Sequence, residues 1–304
     1  MPSTAGWKAC SPAMRSTTGM PPTGKPLAPP TPRTGSTAYH CPCCPESVLY
    51  RIENLGKKWA REGGWRLLIR RLHVEAGARL AITGPSGCGK STTLDLLGLA
   101  LEPDSAGAFL FAPCNQAIDA VRLWREKRLD AMAALRLAHM GYVLQTGGLL
   151  PFLNVIDNML LTARMAGLPE AAAREQAMAL SRQLGIEGLL RAMPATLSIG
   201  ERQRVAIVRA LTPKPALILA DEPTAALDPA HAARVMEAFL SAVDEQGGTL
   251  ILVTHNAGWA RRGGLTELPF VMEEDEQGLT AVLDDRRDEA LSPPDPVPAR
   301  GSSC

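Results

Sequence analysis

The chain of 304 residues contains no uninterrupted apolar run of about 18 residues or more, the length that a membrane-spanning helix needs. It also lacks an excess of either charge, since 32 Lys and Arg balance 31 Asp and Glu for a net charge of +1. Because the two charges are almost equal in number, the chain has no overall electrostatic attraction to nucleic acid or to an anionic membrane. The first residues include no apolar segment typical of a secretory signal. We therefore expect a protein that does not cross a bilayer by itself, is not secreted and has no nucleic-acid partner.

A disulfide framework is not expected either, because seven cysteines is an odd number spread over a long chain. Free thiols in a reducing cytosol are the simpler interpretation. Cys41 and Cys44 form one C-x-x-C pair with Cys43 beside it, but a zinc site takes four ligands, usually from two separated pairs. No second pair follows in the sequence, so we interpret these cysteines as part of a tail.

Proline is concentrated near both ends of the chain. Residues 1–47 combine Pro, Ser, Thr and Gly with almost no periodic apolar pattern, a composition that cannot bury enough surface to order itself. Residues 286–304 are similar. We predict two disordered tails, and between them, over residues 48–285, one folded domain without an internal repeat.

Within this domain, short apolar runs alternate with helical patterns. Continuous apolar runs typical of buried parallel strands occupy residues 79–83, 217–220 and 249–253. Patterns rich in Ala, Leu and other helix formers occupy residues 92–99, 119–138 and 155–184. The alternation predicts an α/β fold with a mostly parallel sheet.

The strongest functional signal is a glycine-rich segment between a predicted strand and a predicted helix. It matches the pattern G-x-x-x-x-G-K-[ST] and consists of Gly84, Pro85, Ser86, Gly87, Cys88, Gly89, Lys90 and Ser91. Its glycines let the backbone wrap around phosphate oxygens, and the following helix adds the positive end of its dipole. Lys90 is expected to reach the β- and γ-phosphates of a nucleotide, and Ser91 to bind Mg²⁺. Thr92 follows directly and is included in the predicted binding segment. Because Cys88 lies inside the loop, we expect its alkylation to block nucleotide binding.

Two adjacent acids follow the apolar run 217–220. Asp221 and Glu222 are thereby placed at the carboxyl edge of the sheet, where ligands bind in such folds. We predict that Asp221 holds Mg²⁺ through water and that Glu222 acts as general base toward the attacking water.

A third signal is the segment 197–204. Ser198 and Glu201 have the spacing of a capping box, which predicts a helix start there. The exposed N–H groups and the Ser198 hydroxyl at such a start form a site for an anion. For this segment taken alone, however, a merely capped helix is the favoured interpretation.

The three motifs together resemble ATP-binding-cassette (ABC) ATPases. Residues 197–204 resemble the family's LSGGQ-type signature, and residues 197–207 with 219–224 are most similar to the lipoprotein-release and macrolide-export subgroup (LolD/MacB-like). The resemblance covers about residues 48–256. It implies an ATPase that uses ATP and Mg²⁺.

The resemblance implies further site residues. Gln145 corresponds to the Q-loop glutamine that contacts Mg²⁺ and nucleotide, Asp228 to the D-loop aspartate at a dimer interface, and His255 to the switch histidine at the γ-phosphate. Ser198, Gly200 and Glu201 are implied to contact the nucleotide of a second subunit. For the aromatic that stacks on adenine we favour Trp59, with Trp65 as the alternative.

An architecture and a setting are implied as well. We expect a P-loop NTPase core with a mostly parallel sheet, an antiparallel β subdomain, and an inserted α-helical signature subdomain at about residues 146–205. We expect a head-to-tail dimer with a second ABC ATPase subunit and transmembrane permease subunits as partners. The implied location is cytoplasmic, peripheral on the inner face of the cell membrane.

The sequence departs from the family pattern in two places. Ile199 replaces the first signature glycine, and its β-branched side chain could slow hydrolysis by keeping the backbone from the γ-phosphate. Residues 256–282 contain no clear closing strand or turn, and the acidic run 273–276 is interpreted as a solvated hairpin tip without function.

One alternative function is left open. A non-transport ABC ATPase, acting on DNA, ribosomes or a division complex, would share the three motifs. Nucleic-acid versions usually carry a second cassette, a long coiled coil or a basic extension, which this sequence does not contain. A cell-division-type or other regulatory ATPase is separated less well, because it too would have a membrane partner.

Overall fold

Two sheets and eight helices organise the part of the chain that the computed structural model describes, residues 48–59, 65–113, 116–225, 227–275 and 278–286. The strands are β1 Val48–Lys58, β2 Arg66–Glu75, β3 Arg79–Thr83, β4 Ala108–Phe111, β5 Ile118–Asp119, β6 Met140–Val143, β7 Leu217–Asp221, β8 Thr249–Thr254, β9 Thr266–Pro269, β10 Val271–Asp275 and β11 Gly278–Asp284. The helices are α1 Lys90–Leu97, α2 Ala120–Arg125, α3 Leu129–His139, α4 Val155–Met165, α5 Glu170–Gln183, α6 Ile199–Leu211, α7 Pro229–Gln246 and α8 Ala257–Arg262. The predicted tails and the cysteines 41, 43 and 44 lie outside the described residues, apart from residue 286.

The five-stranded sheet is parallel throughout, in the order β6-β7-β8-β3-β9. Its three central strands are the three apolar runs that the sequence analysis identified. They are continuous because both faces of the sheet are covered. On β3, for example, Ala81 packs into one hydrophobic cluster while Leu80 and Ile82 pack into the other. The predicted α/β fold with a mostly parallel sheet is confirmed.

The six-stranded sheet has the order β10-β11-β2-β1-β4-β5. Its strand pairs are antiparallel except for β11 beside β2. Together with α1 and one face of the parallel sheet, it encloses a core that contains Tyr50, Phe109 and Phe111. The expected antiparallel β portion is therefore present, with one parallel pair.

The two long helical predictions each divide in two. The pattern over 119–138 breaks at Lys127, which has a left-handed backbone (φ 52°), and gives α2 and α3. The pattern over 155–184 breaks at Gly167 (φ 71°) and Pro169, which precedes the first residue of α5. Since α4 packs against α5 and α6, the expected helical portion contains three helices that support one another. Among the described residues, no helix has both the length and the apolar character to cross a bilayer.

The sequence contains no clear closing strand after residue 256, but the structure forms three strands there. β9 pairs in parallel with β3, and β10 and β11 form a hairpin. Only Leu268 of β9 is buried, because an edge strand needs little apolar sequence, and this explains why the pattern was weak. Glu273, Glu274 and Asp275 belong to β10 rather than to a hairpin tip, and Glu276 lies outside the described residues.

Candidate functional site

The site lies where three parallel strands end side by side. Thr83 at the end of β3 is opposite Thr254 of β8, and Asp221 at the end of β7 is opposite Val253. The residues that follow these strands therefore meet at one edge of the sheet: the glycine-rich loop, Glu222 and His255. This is the carboxyl edge, at which α/β folds bind ligands.

A cavity of about 750 Å³ opens at this edge. Its lining is made of Trp59, Trp65, Ser86, Gly87, Gly89, Lys90, Ser91, Thr92, Gln145, Glu222, His255 and Leu279. Residues from the glycine-rich loop, from three strand ends and from the other sheet thus meet at one space large enough for a nucleotide.

The glycine-rich loop has the conformation that its sequence requires. Gly87 (φ 81°) and Gly89 (φ 96°) both have left-handed backbones, which a side chain would strain. Gly89 ends the loop as the cap of α1, and its carbonyl accepts from the N–H of Thr93 (2.8 Å) and from its hydroxyl (3.0 Å). The loop thereby aims the start of the helix at the cavity.

Lys90 is 6% exposed and its side chain folds back along the loop. The ammonium group donates to the carbonyl oxygens of Gly84 (3.0 Å) and Pro85 (2.9 Å). An anion in the cavity would compete for this ammonium, since a charged acceptor makes a stronger hydrogen bond than a neutral carbonyl.

Three predicted loop residues, Gly84, Pro85 and Cys88, do not line the cavity. The Cys88 side chain is 2% exposed, and its Sγ lies 2.8 Å from the point that a β-carbon on Gly84 would occupy. Burial raises the pKa of the Cys88 thiol. The thiol therefore lies beneath the loop, where it packs, and is less reactive than an exposed thiol.

Asp221 is half-buried beside the start of α1. Burial raises its pKa, the hydrogen bond from Ser91 acts in the opposite direction, and the nearby carboxylates of Glu222 and Asp95 raise it further. A cation near this group would relieve the repulsion among the three acids. Asp95 was missed in the sequence analysis, although it lies one helical turn after Ser91; its carboxylate accepts from the Tyr142 hydroxyl (3.0 Å).

Glu222 has a left-handed backbone (φ 43°), uncommon outside glycine. Its N–H donates to the Val253 carbonyl (3.0 Å), which holds this conformation. Its carboxylate lies 2.8 Å from Nδ1 of His255. The Glu222 side chain is 15% exposed and that of His255 56%, so the pair faces the cavity with the carboxylate on the inner side.

The two candidate aromatics, Trp59 and Trp65, both line the cavity. Their ring centroids are 4.8 Å apart with an interplanar angle of 55°, and the backbone N–H of Trp59 donates to the backbone carbonyl of Trp65 (3.1 Å). Leu279, which the sequence analysis missed, comes level with Trp65 because β11 runs parallel to β2 with Thr280 opposite Arg66. The side of the cavity away from the acids is therefore apolar.

A second group of predicted residues lies outside this cavity, at the start of α6 and of α7. The Ser198 hydroxyl and N–H both lie 2.8 Å from one Glu201 carboxylate oxygen, and the Glu201 N–H lies 3.3 Å from the Ser198 hydroxyl. These bonds complete the predicted capping box and hold the pKa of Glu201 below its usual value. Asp228 caps α7 and lies 2.6 Å from Nδ1 of His231.

The two helix starts adjoin each other. A β-carbon on Gly200 would come within 2.7 Å of Leu227, which precedes Asp228. We name the residues Ser198, Ile199, Gly200, Glu201 and Asp228 the signature edge. Their polar groups are bonded to near neighbours along the chain, and none of them lines the cavity. Ala226 lies outside the described residues.

Comparison with known families identifies this arrangement. Residues 70–225 match the family described as "ABC transporter". The matched segment contains the glycine-rich loop, Asp221, Glu222 and the start of α6.

Individual proteins give the same result. The chain is 40% identical to the lipoprotein-releasing system ATP-binding protein LolD of Novosphingobium aromaticivorans, over 70% of this chain and 92% of that protein. It is also 40% identical to the macrolide export ATP-binding/permease protein MacB of Sodalis glossinidius, over 62% of this chain and 28% of that larger protein.

A solved structure shares the fold. The dimeric post-hydrolysis state of the ATP-binding cassette MJ0796, bound to ADP and Pi, superposes with a TM-score of 0.62. The match covers 73% of this chain and 94% of that one at 28% identity.

Proposed function

The chain belongs to the ABC transporter family, as an ATP-binding and ATP-hydrolysing subunit. From that premise we propose which residues bind ATP, which bind Mg²⁺ and which activate the attacking water. The observation that supports the proposal best is the junction of the glycine-rich loop, Asp221, Glu222 and His255 at adjacent strand ends. Phosphate-binding, metal-binding and base functions then lie within one cavity.

ATP lies along this cavity with its phosphates at the loop and its base at the tryptophans. N–H groups of residues 87–92 and the ammonium of Lys90 surround the phosphate oxygens. To do so, Lys90 exchanges its two carbonyl partners for the phosphates. Trp59 stacks on adenine from the apolar side.

The oxygen atoms near Asp221 suit Mg²⁺, which prefers hard oxygen ligands and usually takes one or two from the protein and the rest from phosphates and water. Ser91 and Gln145 would bind the ion directly and Asp221 through water. The carboxylates around Asp221, which raise its pKa, would be stabilised by the positive charge. Among the described residues no three His, Cys, Asp or Glu side chains form a group that could hold a metal ion. When bound, the ion neutralises charge that develops on the phosphates.

Glu222 orients and polarises the water that attacks the γ-phosphorus. Its pairing with His255 at 2.8 Å fixes the carboxylate, and the imidazole is then placed to contact the γ-phosphate. Catalysis in this arrangement depends on positioning and charge stabilisation more than on covalent chemistry.

The active unit is a head-to-tail pair of ATPase subunits. The signature edge does not line the chain's own cavity, and in the proposed pair it completes the cavity of the second subunit. ATP is then held between Lys90 of one subunit and Ser198 of the other. The neighbour MJ0796 is itself described as a dimer.

The pair energises transmembrane permease subunits at the inner face of the cell membrane. The relatives named for lipoprotein release and macrolide export support a partner of that type. In this arrangement closure of the pair on ATP, and reopening after hydrolysis, moves the membrane subunits.

A pull-down of the tagged chain from its native membranes in mild detergent, with the partners identified by mass spectrometry, tests this assignment. We expect a permease with few membrane spans and a large extracytoplasmic domain. A permease of another architecture would keep the transporter assignment and overturn the subgroup. Recovery of the chain without any membrane protein would favour the non-transport class.

A further inference from the structure

Trp65 contacts the glycine-rich loop directly. A β-carbon on Gly89 would come within 2.7 Å of Cη2 and 3.4 Å of Cζ2 of Trp65, so the six-membered part of the indole ring lies against the Gly89 backbone. Gly89 occupies the left-handed region (φ 96°), which glycine adopts readily. Because glycine adopts other conformations just as readily, the ring packed against Gly89 limits the conformations that are open to the loop.

Trp65 itself is held firmly at the start of β2. Its backbone carbonyl accepts a hydrogen bond from the backbone N–H of Trp59 (3.1 Å), and its ring packs against that of Trp59. Leu279 on β11 lies level with Trp65. The ring is thus held on the six-stranded sheet, while its far edge contacts Gly89 in the glycine-rich loop.

Resting on the ATP site proposed above, we infer that Trp65 is a positioning residue for the phosphate loop, distinct from the base-stacking role of Trp59. Its ring stabilises the left-handed Gly89, and through it the orientation of the first N–H groups of α1. Trp65 is therefore expected to affect binding of the triphosphate rather than of the base, although it lies on the base side of the cavity.

Inorganic tripolyphosphate separates the two roles, because it has the phosphate chain of ATP and no base. Trp65→Phe removes the far ring that touches Gly89 and keeps an aromatic group. We expect this variant to bind tripolyphosphate with Mg²⁺ about threefold to tenfold more weakly, as for the loss of one ring contact. Its KM for ATP should rise by a similar factor while kcat at saturating ATP stays within about twofold, because Trp65 acts on binding and not on the attacking water.

Trp59→Phe is the matched control, because it makes the same change of ring and still leaves an aromatic ring against Trp65. It should weaken ATP binding but leave tripolyphosphate binding at the wild-type level. Equal tripolyphosphate affinity in Trp65→Phe and wild type would overturn the positioning role, as would an equal loss in Trp59→Phe. Failure of the wild-type chain to bind either ligand would instead count against the proposed ATP site.

A fluorescence measurement keeps the test valid if Trp65→Phe does not fold. In a Trp59→Phe chain, which retains Trp65, we expect tripolyphosphate to change the tryptophan emission. Among the tryptophans whose side chains the structure describes, Trp65 is then the one that lines the cavity. An emission spectrum that does not respond to saturating tripolyphosphate would contradict the inference.

Discussion

The cavity and the signature edge contain similar residue types in opposite arrangements. In the cavity, Lys90 and Glu222 come from different segments and line one space, and Asp221 lies half-buried beside the start of α1. At the signature edge, Ser198 is exposed, Glu201 is half-buried, and the two bond to each other three residues apart. The first arrangement can perform chemistry on a phosphate; the second forms a helix cap and presents it to the outside.

The contrast indicates that one chain holds two different halves of a site. Burial and the nearby carboxylates raise the pKa of Asp221, so keeping such buried, convergent acids ionised carries a cost in stability, which a bound cation would offset. Exposed and locally bonded groups carry no such cost, so their presence alone stabilises α6. The predictions below test whether the two regions differ in chemistry, in the subunit they serve and in stability.

The largest effect is expected in the cavity, from Glu222→Gln. Loss of the carboxylate removes the general base and should lower kcat at least about 100-fold, while ATP binding is retained. Phosphate release and equilibrium ATP binding measure the two quantities. Glu267→Gln is the control, since this acid lies on β9 of the same sheet and accepts from Thr83 (2.8 Å) outside the cavity. Near-normal turnover in Glu222→Gln would remove this residue from the base role.

A mixing experiment tests which subunit each region serves. Lys90→Ala disables the cavity, and Ser198→Arg places a long charged side chain on the signature edge, so each variant alone should be inactive. In a head-to-tail pair, mixing the two variants leaves one intact site in each mixed dimer. Up to about a quarter of the wild-type activity per subunit should then return.

The control for that experiment is Ala171→Arg, at an exposed position of α5 that adds the same charge away from the signature edge. It should be active alone. If the mixture of Lys90→Ala and Ser198→Arg stays as inactive as either variant, then the cavity and the signature edge do not act across a dimer.

The two regions are also expected to differ in stability: a substitution in the cavity should raise the melting temperature, whereas one at the signature edge should lower it. Asp221→Asn removes a carboxyl whose pKa is raised by burial and by neighbouring acids, so folding no longer opposes its ionisation. At pH 7 we expect a melting temperature higher by a few degrees, together with the loss of Mg²⁺-dependent hydrolysis. Because a raised folded-state pKa costs stability only above the unfolded value, the gain should shrink as the pH falls toward about 4.

Ser198→Ala provides the comparison, since loss of this exposed cap should lower stability by about 1 kcal/mol at neutral pH. Thermal unfolding from pH 4 to pH 8 measures both variants. An Asp221→Asn chain that is no more stable than wild type at pH 7 would mean that the burial of this acid carries no net cost.

The sequence predicted the site best where each required contact is local. A strand, a glycine turn and a helix in succession bring Lys90 and Ser91 to the end of β3 without reference to distant residues. The apolar runs of β7 and β8 similarly placed Asp221, Glu222 and His255. What the pattern did not reveal depends on distant pairing. β11 lies beside β2, so Leu279 joins the cavity from a strand whose apolar run, residues 281–283, is only three residues long. The preference for Trp59 over Trp65 as the stacking residue stays a prediction, since both side chains line the cavity and their different neighbours exist only in the folded protein.

The smallest effect is expected from Ile199→Gly on the signature edge, which restores the family's glycine. Ile199 is the first residue of α6, its side chain is 54% exposed, and the capping box beside it is complete with isoleucine in place. A bulky side chain at this position therefore does not disturb the helix start, and its only cost is to the approach of a second subunit's γ-phosphate. We expect turnover to rise severalfold at most, with Ile199→Ala in between, measured as kcat at saturating ATP. Unchanged turnover in both variants would mean that this surface tolerates an isoleucine without loss, and that the approach to the phosphate is set by Gly200 instead.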